Sequence, residues 1–226
     1  MIKILYLNCA NRKNQSQIKQ YLLNNNIDIA ILADANSIKN LNIDEYPFRF
    51  ASKYVLGMFI LSKYEFSTSS IDYTIDDKRI GINPDKHQDR LVEIKLTSGL
   101  NILAVYVDYG WYNTFAMRAI EDYIKTNDIN IIIGDFNSGY IDDNIDLDTG
   151  GVKFQNGYLF FDRYEKMGFF DPHKGSGTYT HINQVKKRRF RLDHCFIKDK
   201  SIQVEHIDDF LDNNISDHKG LLVTTP

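Results

Sequence analysis

The stretch INIIIGDFNSG, residues 129–139, decides the fold. Its first five residues are almost all β-branched and apolar, which is typical of a buried strand. The apolar run stops at Gly134 and is followed by Asp135 and, two residues later, by Asn137. A buried strand is rigid, so a carboxylate at its end is held in a fixed position. This ending indicates a sheet that presents functional groups at one edge.

Three more apolar runs carry polar side chains at or near their ends. Asn8 ends MIKILYLN, Asp34 ends DIAILAD, and NILAVYV carries Tyr106 near its end. In parallel or mixed sheets covered by helices, polar groups at strand ends point into one shared cleft. Asp and Asn are also ordinary turn residues, and that explanation is favoured for any one strand taken alone. Four such endings together favour a shared site.

Two Asp-His pairs lie in the last third of the chain. The run FRLDHCFI, residues 190–197, places Asp193 in an apolar strand. The run NISDHKGLLV, residues 214–223, places Asp217 and His218 before a final strand. An Asp-His dipeptide before a strand can be a simple turn. A histidine that acts near neutral pH needs a carboxylate to fix its tautomer, however, and Asp193 is a candidate for that role.

The rest of the pattern consists of many short strands with a few helices between them. Strands are predicted at residues 2–8, 28–34, 54–62, 90–96, 101–107, 129–134, 192–197, 202–207 and 219–224. Apolar residues at helical spacing predict helices over Gln17–Asn25, Thr114–Asn127 and Gly157–Met167. Polar stretches at 72–89 and 138–156 predict loops of the kind that often border an active site.

The composition excludes adhesion to nucleic acid or membranes through overall positive charge. The net charge is −3, so an anionic substrate would need a local positive patch or a metal ion. Cys9 and Cys195 lie in apolar runs without Cys-x-x-Cys spacing, which predicts reduced core thiols, although one disulfide stays open. The N-terminal stretch does not resemble a signal peptide, and no run is long enough to span a membrane. We therefore expect a cytoplasmic monomer without membrane contacts.

The order and spacing of these motifs resemble the endonuclease/exonuclease/phosphatase superfamily, which includes exonuclease III-like and deoxyribonuclease-like enzymes. The resemblance is greatest to small bacterial nuclease-type members. It spans nearly the whole chain and rests on YLN at 6–8, DIAILAD at 28–34, LGMFILSK at 56–63, AVYV at 104–107, GDFN at 134–137, RLDH at 191–194 and SDH at 216–218. It implies an α/β (α+β) four-layer sandwich, in which two mixed β-sheets pack face to face with helices on the outer faces. It also implies one catalytic domain over residues 1–226.

The activity that the resemblance implies is hydrolysis of a phosphodiester with a divalent cation, Mg²⁺ or Mn²⁺. Asn8 and Asp34 would hold the metal, and Asp217 would help with the metal or with the leaving group. Asp135 would orient or deprotonate the attacking water. Asn137 would donate a hydrogen bond to the scissile phosphate.

The same resemblance implies roles for three further side chains. His218 would contact the phosphate as an imidazolium, with Asp193 as its carboxylate partner. Tyr106 matches the position at which the apurinic-endonuclease branch carries tyrosine. The sequence departs from the family at Asp34, where a glutamate is usual, and at His181, where many members have tryptophan. The shorter aspartate is expected to shift or weaken metal binding, and either departure is expected to affect specificity.

The basic run KKRRFR, residues 186–191, suggests how a polyanion would be held. A single charged run is more often a solvated loop, but this one leads directly into the strand of Asp193. We expect its charges to overhang the cleft and to give salt-sensitive binding of nucleic acid. The expected substrate-binding residues are Lys186, Lys187, Arg188, Arg189, Arg191 and His181. For Arg191, a structural role stays open beside the phosphate-binding one.

Three functions remain open at this stage. The first is a metal-dependent nuclease acting on DNA or RNA. The second is a phosphoesterase for small or lipid phosphates, similar to inositol phosphatases or sphingomyelinases, which would show little salt dependence. The third is a catalytically degenerate binding module, for which changing Asp135 to Asn would have no effect on function.

Overall fold

The computed structural model of the protein describes residues 1–54, 56–73, 88–107, 113–140, 157–183, 185 and 187–226. Most of the two predicted polar loops, at 72–89 and 138–156, lies outside the described residues.

The described chain forms thirteen strands and four α-helices. The strands are β1 (Lys3–Asn8), β2 (Ile29–Ala33), β3 (Phe48–Ala51), β4 (Phe59–Ser62), β5 (Phe66–Ser70), β6 (Leu91–Leu96), β7 (Asn101–Tyr106), β8 (Ile131–Asp135), β9 (His181–Ile182), β10 (Arg189–Phe190), β11 (Asp193–Ile197), β12 (Gln203–Ile207) and β13 (Gly220–Thr224). The helices are α1 (Gln15–Asn24), α2 (Asn113–Thr126), α3 (Tyr158–Lys166) and α4 (Asp209–Asp212), and a 3₁₀ turn covers Asn36–Ile38.

The strands form two mixed sheets and one short ribbon. The first sheet has the order β12-β13-β1-β2-β4-β3, in which β1 and β2 are parallel and the other neighbours are antiparallel. The second sheet has the order β11-β8-β7-β6-β5, in which β7 and β8 are parallel. Strands β9 and β10 pair with each other as a separate antiparallel ribbon.

The apolar residues sort into three layers of core because side chains alternate across each strand. Ile4 and Tyr6 of the first sheet lie in one buried cluster with Ile102 and Ala104 of the second. This cluster fills the space between the two sheets.

The outer face of each sheet is covered by helix. Leu5 of β1 lies in a second cluster with Ile18 and Leu22 of α1. Ile132 of β8 lies in a third cluster with Ile120 of α2, which also includes residues of α3. The prediction of a four-layer sandwich with two mixed sheets inside and helices outside is confirmed.

The sequence missed the strands that carry little apolar signal. β5 has the sequence FSTSS and lies at an edge of its sheet, where its side chains are partly or fully exposed. β3 lies at an edge of the other sheet and is also largely exposed. The strand predicted at 54–62 begins only at Phe59. The ribbon of β9 and β10 and the short helix α4 were also not predicted. Both cysteines are buried and free, as predicted.

The two parallel pairs place the expected functional groups at one edge. The register of β1 and β2 pairs Asn8 with Ala33, just before Asp34. The register of β7 and β8 pairs Tyr106 with Asp135. Both sheets end in polar residues on the same side of the sandwich. Among the described residues, no helix has both the length and the apolar character needed to span a bilayer.

Candidate active site

A cleft of about 300 Å³ lies at this edge of the sandwich. Eight of the side chains predicted as site residues line it: Asn8, Asp34, Tyr106, Asp135, Asn137, His181, Asp217 and His218. They come from both sheets and from the loops that follow or precede the strands. The predicted convergence of these residues is therefore found.

Asp135 is fixed by the end of β8. Its side chain is buried, and its backbone N–H donates a hydrogen bond to the Tyr6 hydroxyl at 2.9 Å. Gly134 precedes it with a φ of 152°, and a Cβ at Gly134 would lie 1.9 Å from the carbonyl oxygen of Val105. The close approach of β7 and β8 therefore requires glycine at this position. The Tyr6 contact was not anticipated, because a tyrosine inside an apolar strand is usually a core residue.

Asn137 reaches the cleft through a turn and not through an extended strand. Its φ is 45°, and its backbone N–H donates to Asp135 Oδ1 at 2.8 Å. Its side-chain amide donates to the carbonyl of Val107 at 2.8 Å. The GDFN segment thus folds back on its own carboxylate, as Asx turns do.

Asn8 connects the two sheets at the cleft. Its amide Nδ2 donates to Asp135 Oδ2 at 2.9 Å, and its Oδ1 accepts the backbone N–H of Ala10 at 3.0 Å. The Ser216 hydroxyl donates to the backbone carbonyl of Asn8 at 2.6 Å, and the N–H of His218 donates to Ser216 Oγ at 3.0 Å. Ser216 therefore holds the His218 segment against β1.

His218 and Asp193 form a buried pair. His218 Nδ1 lies 2.8 Å from Asp193 Oδ2, and the Asp193 side chain is fully buried. Thr180 Oγ1 accepts the backbone N–H groups of Leu192 and Asp193, each at 3.0 Å. This geometry fixes the imidazole tautomer and leaves Nε2 as the ring nitrogen not taken by Asp193. The pairing predicted from the two Asp-His motifs is found.

The pKa values of His218 and Asp135 are both raised at this junction, against the effect of burial for His218 and together with it for Asp135. Burial lowers the pKa of His218, but the carboxylates of Asp193, Asp135 and Asp217 outweigh it and raise the value to about 9. Burial, and then the charge of Asp193, raise the pKa of Asp135 to about 7. His218 is therefore a cation at neutral pH, and Asp135 is a carboxyl group that can exchange a proton there.

Tyr106 is accompanied by a cation that the sequence did not reveal. The guanidinium of Arg90 lies over its ring, 5.1 Å from the centroid, and Arg90 is buried. The backbone carbonyl of Arg90 also accepts the N–H of Tyr106 at 2.8 Å. Burial raises the pKa of Asp34, and the positive charges of Arg90 and His218 oppose that shift. A lone arginine before an apolar strand carries no pattern that distinguishes it from a surface residue.

The donor set of the cleft fits a hard divalent cation. Asp34 Oδ1 and Asp217 Oδ1 are buried oxygen atoms that have no hydrogen-bond partner among the described residues. Buried carboxylate oxygens are costly unless a donor or a cation compensates them. Carboxylate and amide oxygens, the latter from Asn8, are the ligands that suit Mg²⁺ or Mn²⁺. Asn8, Asp34 and Asp217 could therefore hold such an ion.

The basic run divides between the surface and the core. Lys187 and Arg189 are exposed and Arg188 is partly exposed, beside or within the β9–β10 ribbon that carries His181. Lys186 lies outside the described residues. The register of the ribbon pairs Phe190 with His181, so the backbone of Arg189 is one residue away from the partner of a cleft residue.

Arg191 has a structural position. It is fully buried, and its Nη2 donates to both carboxylate oxygens of Asp171 at 2.5 Å. His194 Nδ1 also lies 2.9 Å from Asp171 Oδ2. Because this guanidinium has no access to the cleft surface, we correct its expected substrate-binding role to a structural one. In the sequence, Arg191 alternates with Asp193 along a strand, and this pattern left both a structural and a phosphate-binding role open for Arg191.

Comparisons with known proteins identify the family. The sequence matches the Endonuclease/Exonuclease/phosphatase family over residues 5–218, and the chain belongs to that family. Members of this family are hydrolases of phosphodiester bonds, and they generally use divalent metal ions. The comparison with curated protein sequences gave no match.

Solved structures show the same fold at low sequence identity. An AP endonuclease from Archaeoglobus fulgidus is similar with a TM-score of 0.72 and 19% identity, over 100% of this chain and 99% of that one. The endonuclease domain of TRAS1, a telomere-specific non-LTR retrotransposon, gives 0.68 and 13%, over 100% and 98%. A humanized TDP2 of D. rerio gives 0.66 and 16%, over 98% and 97%.

Proposed function

We propose that the protein is a divalent-metal-dependent phosphodiesterase that acts on nucleic acid. The observation that supports this most directly is the junction of Asn8, Asp135, Asp193 and His218. A proton-accepting carboxyl group and a fixed imidazolium lie side by side, next to carboxylate oxygens that have no hydrogen-bond partner among the described residues. A degenerate binding module would have no need to keep this combination.

Asp135 is the group that activates water in this mechanism. With a pKa of about 7, its ionised form accepts a proton from a water molecule near neutral pH. The water oxygen then forms a bond to phosphorus while the bond to the leaving oxygen breaks. Asn8 and the backbone N–H of Asn137 hold the Asp135 carboxylate in one orientation during this step.

His218 stabilises the charge that develops on the phosphate. Its Nε2–H is aimed by the Asp193 contact at Nδ1, and its raised pKa keeps it protonated throughout the neutral range. Asn137 and Tyr106 line the same cleft and can donate to the remaining phosphate oxygens. A divalent cation held by Asn8, Asp34 and Asp217 supplies neutralisation of phosphate charge when it is bound. The leaving oxygen is protonated by solvent, which reaches the cleft at the partly exposed Asp217.

Nucleic acid is the substrate class that the surroundings favour. Lys187, Arg188 and Arg189 place positive charge beside the cleft of a chain whose net charge is −3. Such a local patch suits a polyanion that extends beyond the scissile phosphate. The names of two similar structures, an AP endonuclease and a retrotransposon endonuclease domain, agree with this proposal.

The test is cleavage of a labelled panel by the purified chain. The panel contains single-stranded and double-stranded DNA, abasic duplex, RNA and bis-p-nitrophenyl phosphate, each with Mg²⁺, with Mn²⁺ and with EDTA. We expect metal-dependent cleavage of a nucleic acid that falls by roughly 10³-fold in Asp135→Asn. Asp199→Asn, an exposed carboxylate after β11, is the matched control and should leave the rate unchanged.

Two outcomes would contradict the proposal. Turnover of only the small diester would favour a phosphoesterase for small substrates. No turnover of any substrate with either metal would favour a binding module, and Asp34 in place of the longer glutamate would then be the first residue to exchange.

A further inference from the structure

His181, Asp217 and His218 form a cluster that the proposed mechanism does not use as a unit. Their ligating atoms all lie within 4.8 Å of one another. His181 Nε2 lies 3.9 Å from Asp217 Oδ2, and His218 Nε2 lies 4.0 Å from Asp217 Oδ1. Two imidazole nitrogens thus flank one carboxylate at the mouth of the cleft.

The backbone fixes these three residues relative to one another. His181 and His218 form an antiparallel bridge. The N–H of Ile182 donates to the carbonyl of Asp217 at 3.1 Å, and the N–H of Lys219 donates to the carbonyl of Thr180 at 2.7 Å. The two imidazole rings are tilted by 49° to each other, with their centroids 4.6 Å apart. The cluster is therefore built on paired segments and does not depend on a chance meeting of surface side chains.

We infer that this cluster is a binding site for a transition-metal ion of the zinc class. Imidazole nitrogen with carboxylate oxygen is a common donor set for zinc. Tetrahedral zinc with bonds of about 2.0–2.2 Å places neighbouring ligand atoms roughly 3.3–3.6 Å apart. The ligating atoms, one from each residue, lie within 4.8 Å of one another, so the side chains must close in by roughly 1 Å to reach that spacing.

The surroundings of His218 and Asp217 also fit a metal-ligand role. The Asp193 carboxylate at 2.8 Å from His218 Nδ1 orients the ring so that Nε2 faces the cluster. A histidine that ligates zinc usually has such a carboxylate on its other nitrogen. Asp217 Oδ1 is buried and has no hydrogen-bond partner within the described parts of the chain. A bound cation would satisfy that oxygen.

The cluster differs in ligand type from the oxygen-rich position, which is the set formed by Asn8, Asp34 and Asp217. Mg²⁺ prefers oxygen ligands and octahedral geometry, which Asn8 and Asp34 suit and two imidazoles do not. Asp217 is shared between the two positions, whereas His181 belongs to the nitrogen-rich one. An ion of the zinc class on His218 Nε2 would displace the proton there, which is released to solvent, and would remove that nitrogen from the phosphate. The ion is therefore an inhibitor, a consequence that rests on the proposed function.

The test measures metal binding directly, without substrate. The full chain, stripped of metal, is titrated with Zn²⁺ by calorimetry and with Co²⁺ by its visible absorption, which is intense for tetrahedral sites. We expect one Zn²⁺ per chain, with affinity lowered at least ~10-fold in His181→Phe. His173→Phe, which changes a histidine outside the cluster, should bind like the unchanged chain. His181→Gln replaces His181→Phe if circular dichroism shows that the latter is unfolded.

Three results would overturn the inference. The first is that the unchanged chain does not bind Zn²⁺. The second is that His181→Phe binds Zn²⁺ with the same affinity as the unchanged chain. The third is that Asp34→Ala loses as much Zn²⁺ affinity as His181→Phe. The last would place the ion at the oxygen-rich position.

Inhibition is then measured as the Zn²⁺ concentration that halves each variant's own rate. Zinc binding without any phosphodiester cleavage would leave this site standing while the proposed function fails, so the two failures are distinguishable.

Discussion

Asp135 and Asp193 are direct partners in the antiparallel register of β8 and β11, and both carboxylates are buried. Two buried carboxylates opposite each other repel, so at least one needs a proton or a cation nearby. His218 is that cation for Asp193, since its Nδ1 lies 2.8 Å from Asp193 Oδ2. Burial, and then the charge of Asp193, raise the pKa of Asp135 to about 7, although His218 opposes the shift. This pair of strands thus supplies a proton acceptor, Asp135, and the carboxylate of Asp193 that keeps His218 charged.

Changing Asp193 to Asn removes the charge that maintains this arrangement. The pKa of His218, now about 9, should fall in Asp193→Asn, because burial then opposes protonation with less compensation. An NMR titration of the metal-free protein would measure it. We also expect kcat to fall by about 10²–10⁴-fold, since the tautomer of His218 is no longer fixed. Asp199→Asn is the control, and an unchanged His218 titration in Asp193→Asn would contradict the assignment.

Arg191 and Asp171 should behave as a structural pair. Arg191→Met leaves the buried Asp171 carboxylate without its main cation, which is expected to cost about 3–5 kcal/mol in the free energy of unfolding. Urea denaturation would measure this loss. The double change with Asp171→Leu should recover part of it, because no buried charge is then left unpaired. If Arg191→Met instead raised KM without lowering stability, Arg191 would be a substrate ligand as first expected.

Much of the fold could be predicted because strands such as β1, β2 and β8 are continuous apolar runs that end abruptly. The edge strands β3 and β5 could not, since exposed strands need few apolar residues. For the site, the residues that stand at strand ends were predictable, Asp135 and Asn8 above all. Arg90 and Asp171 were not, because their roles depend on which strands are neighbours.

Acid should destabilise the protein partly through His206. Burial, and then the charge of His173, lower the pKa of His206 to about 3, and Arg191 and Lys219 act in the same direction while Asp171 opposes them. In the unfolded chain His206 takes up a proton as the pH falls through about 6.5, whereas in the folded chain it stays neutral at that pH. His206 therefore contributes stability that is present above pH 6.5 and is lost as the pH falls toward about 3.

His206→Phe isolates this contribution. We expect the drop in unfolding free energy between pH 7 and pH 4.5 to be smaller in the variant by about 1–2 kcal/mol. The ring stacks on His173 with centroids 4.2 Å apart, and phenylalanine keeps that packing. Urea denaturation at both pH values measures the difference. His181 also has a lowered pKa, of about 4, so only the difference between the two proteins is assigned to His206.

Arg90 should act on the reaction by positioning Tyr106. Arg90→Met removes the cation over the phenol ring and one positive charge that opposes the raised pKa of Asp34. We expect kcat to fall by about 10-fold, with a partial recovery in Arg90→Lys, because lysine keeps the charge but not the planar stacking. Thermal denaturation serves as the control for folding. A loss of the same size in both variants would show that the charge contributes nothing.

The exposed cations of the β9–β10 ribbon should control the salt dependence of nucleic-acid binding. Arg189 lies in β10, Lys187 lies in the segment just before it, and the paired strand β9 carries His181 into the cleft. If each contacts one phosphate, the plot of log affinity against log salt concentration should become less steep by about 1 for each charge removed. Lys187→Ser and Arg189→Ser should therefore raise KM at low salt with little change in kcat. Lys200→Ser, an exposed lysine after β11, is the matched control and should leave the slope as it is. Equal slopes in all four proteins would mean that the substrate is held by the cleft alone, as a small phosphodiester would be.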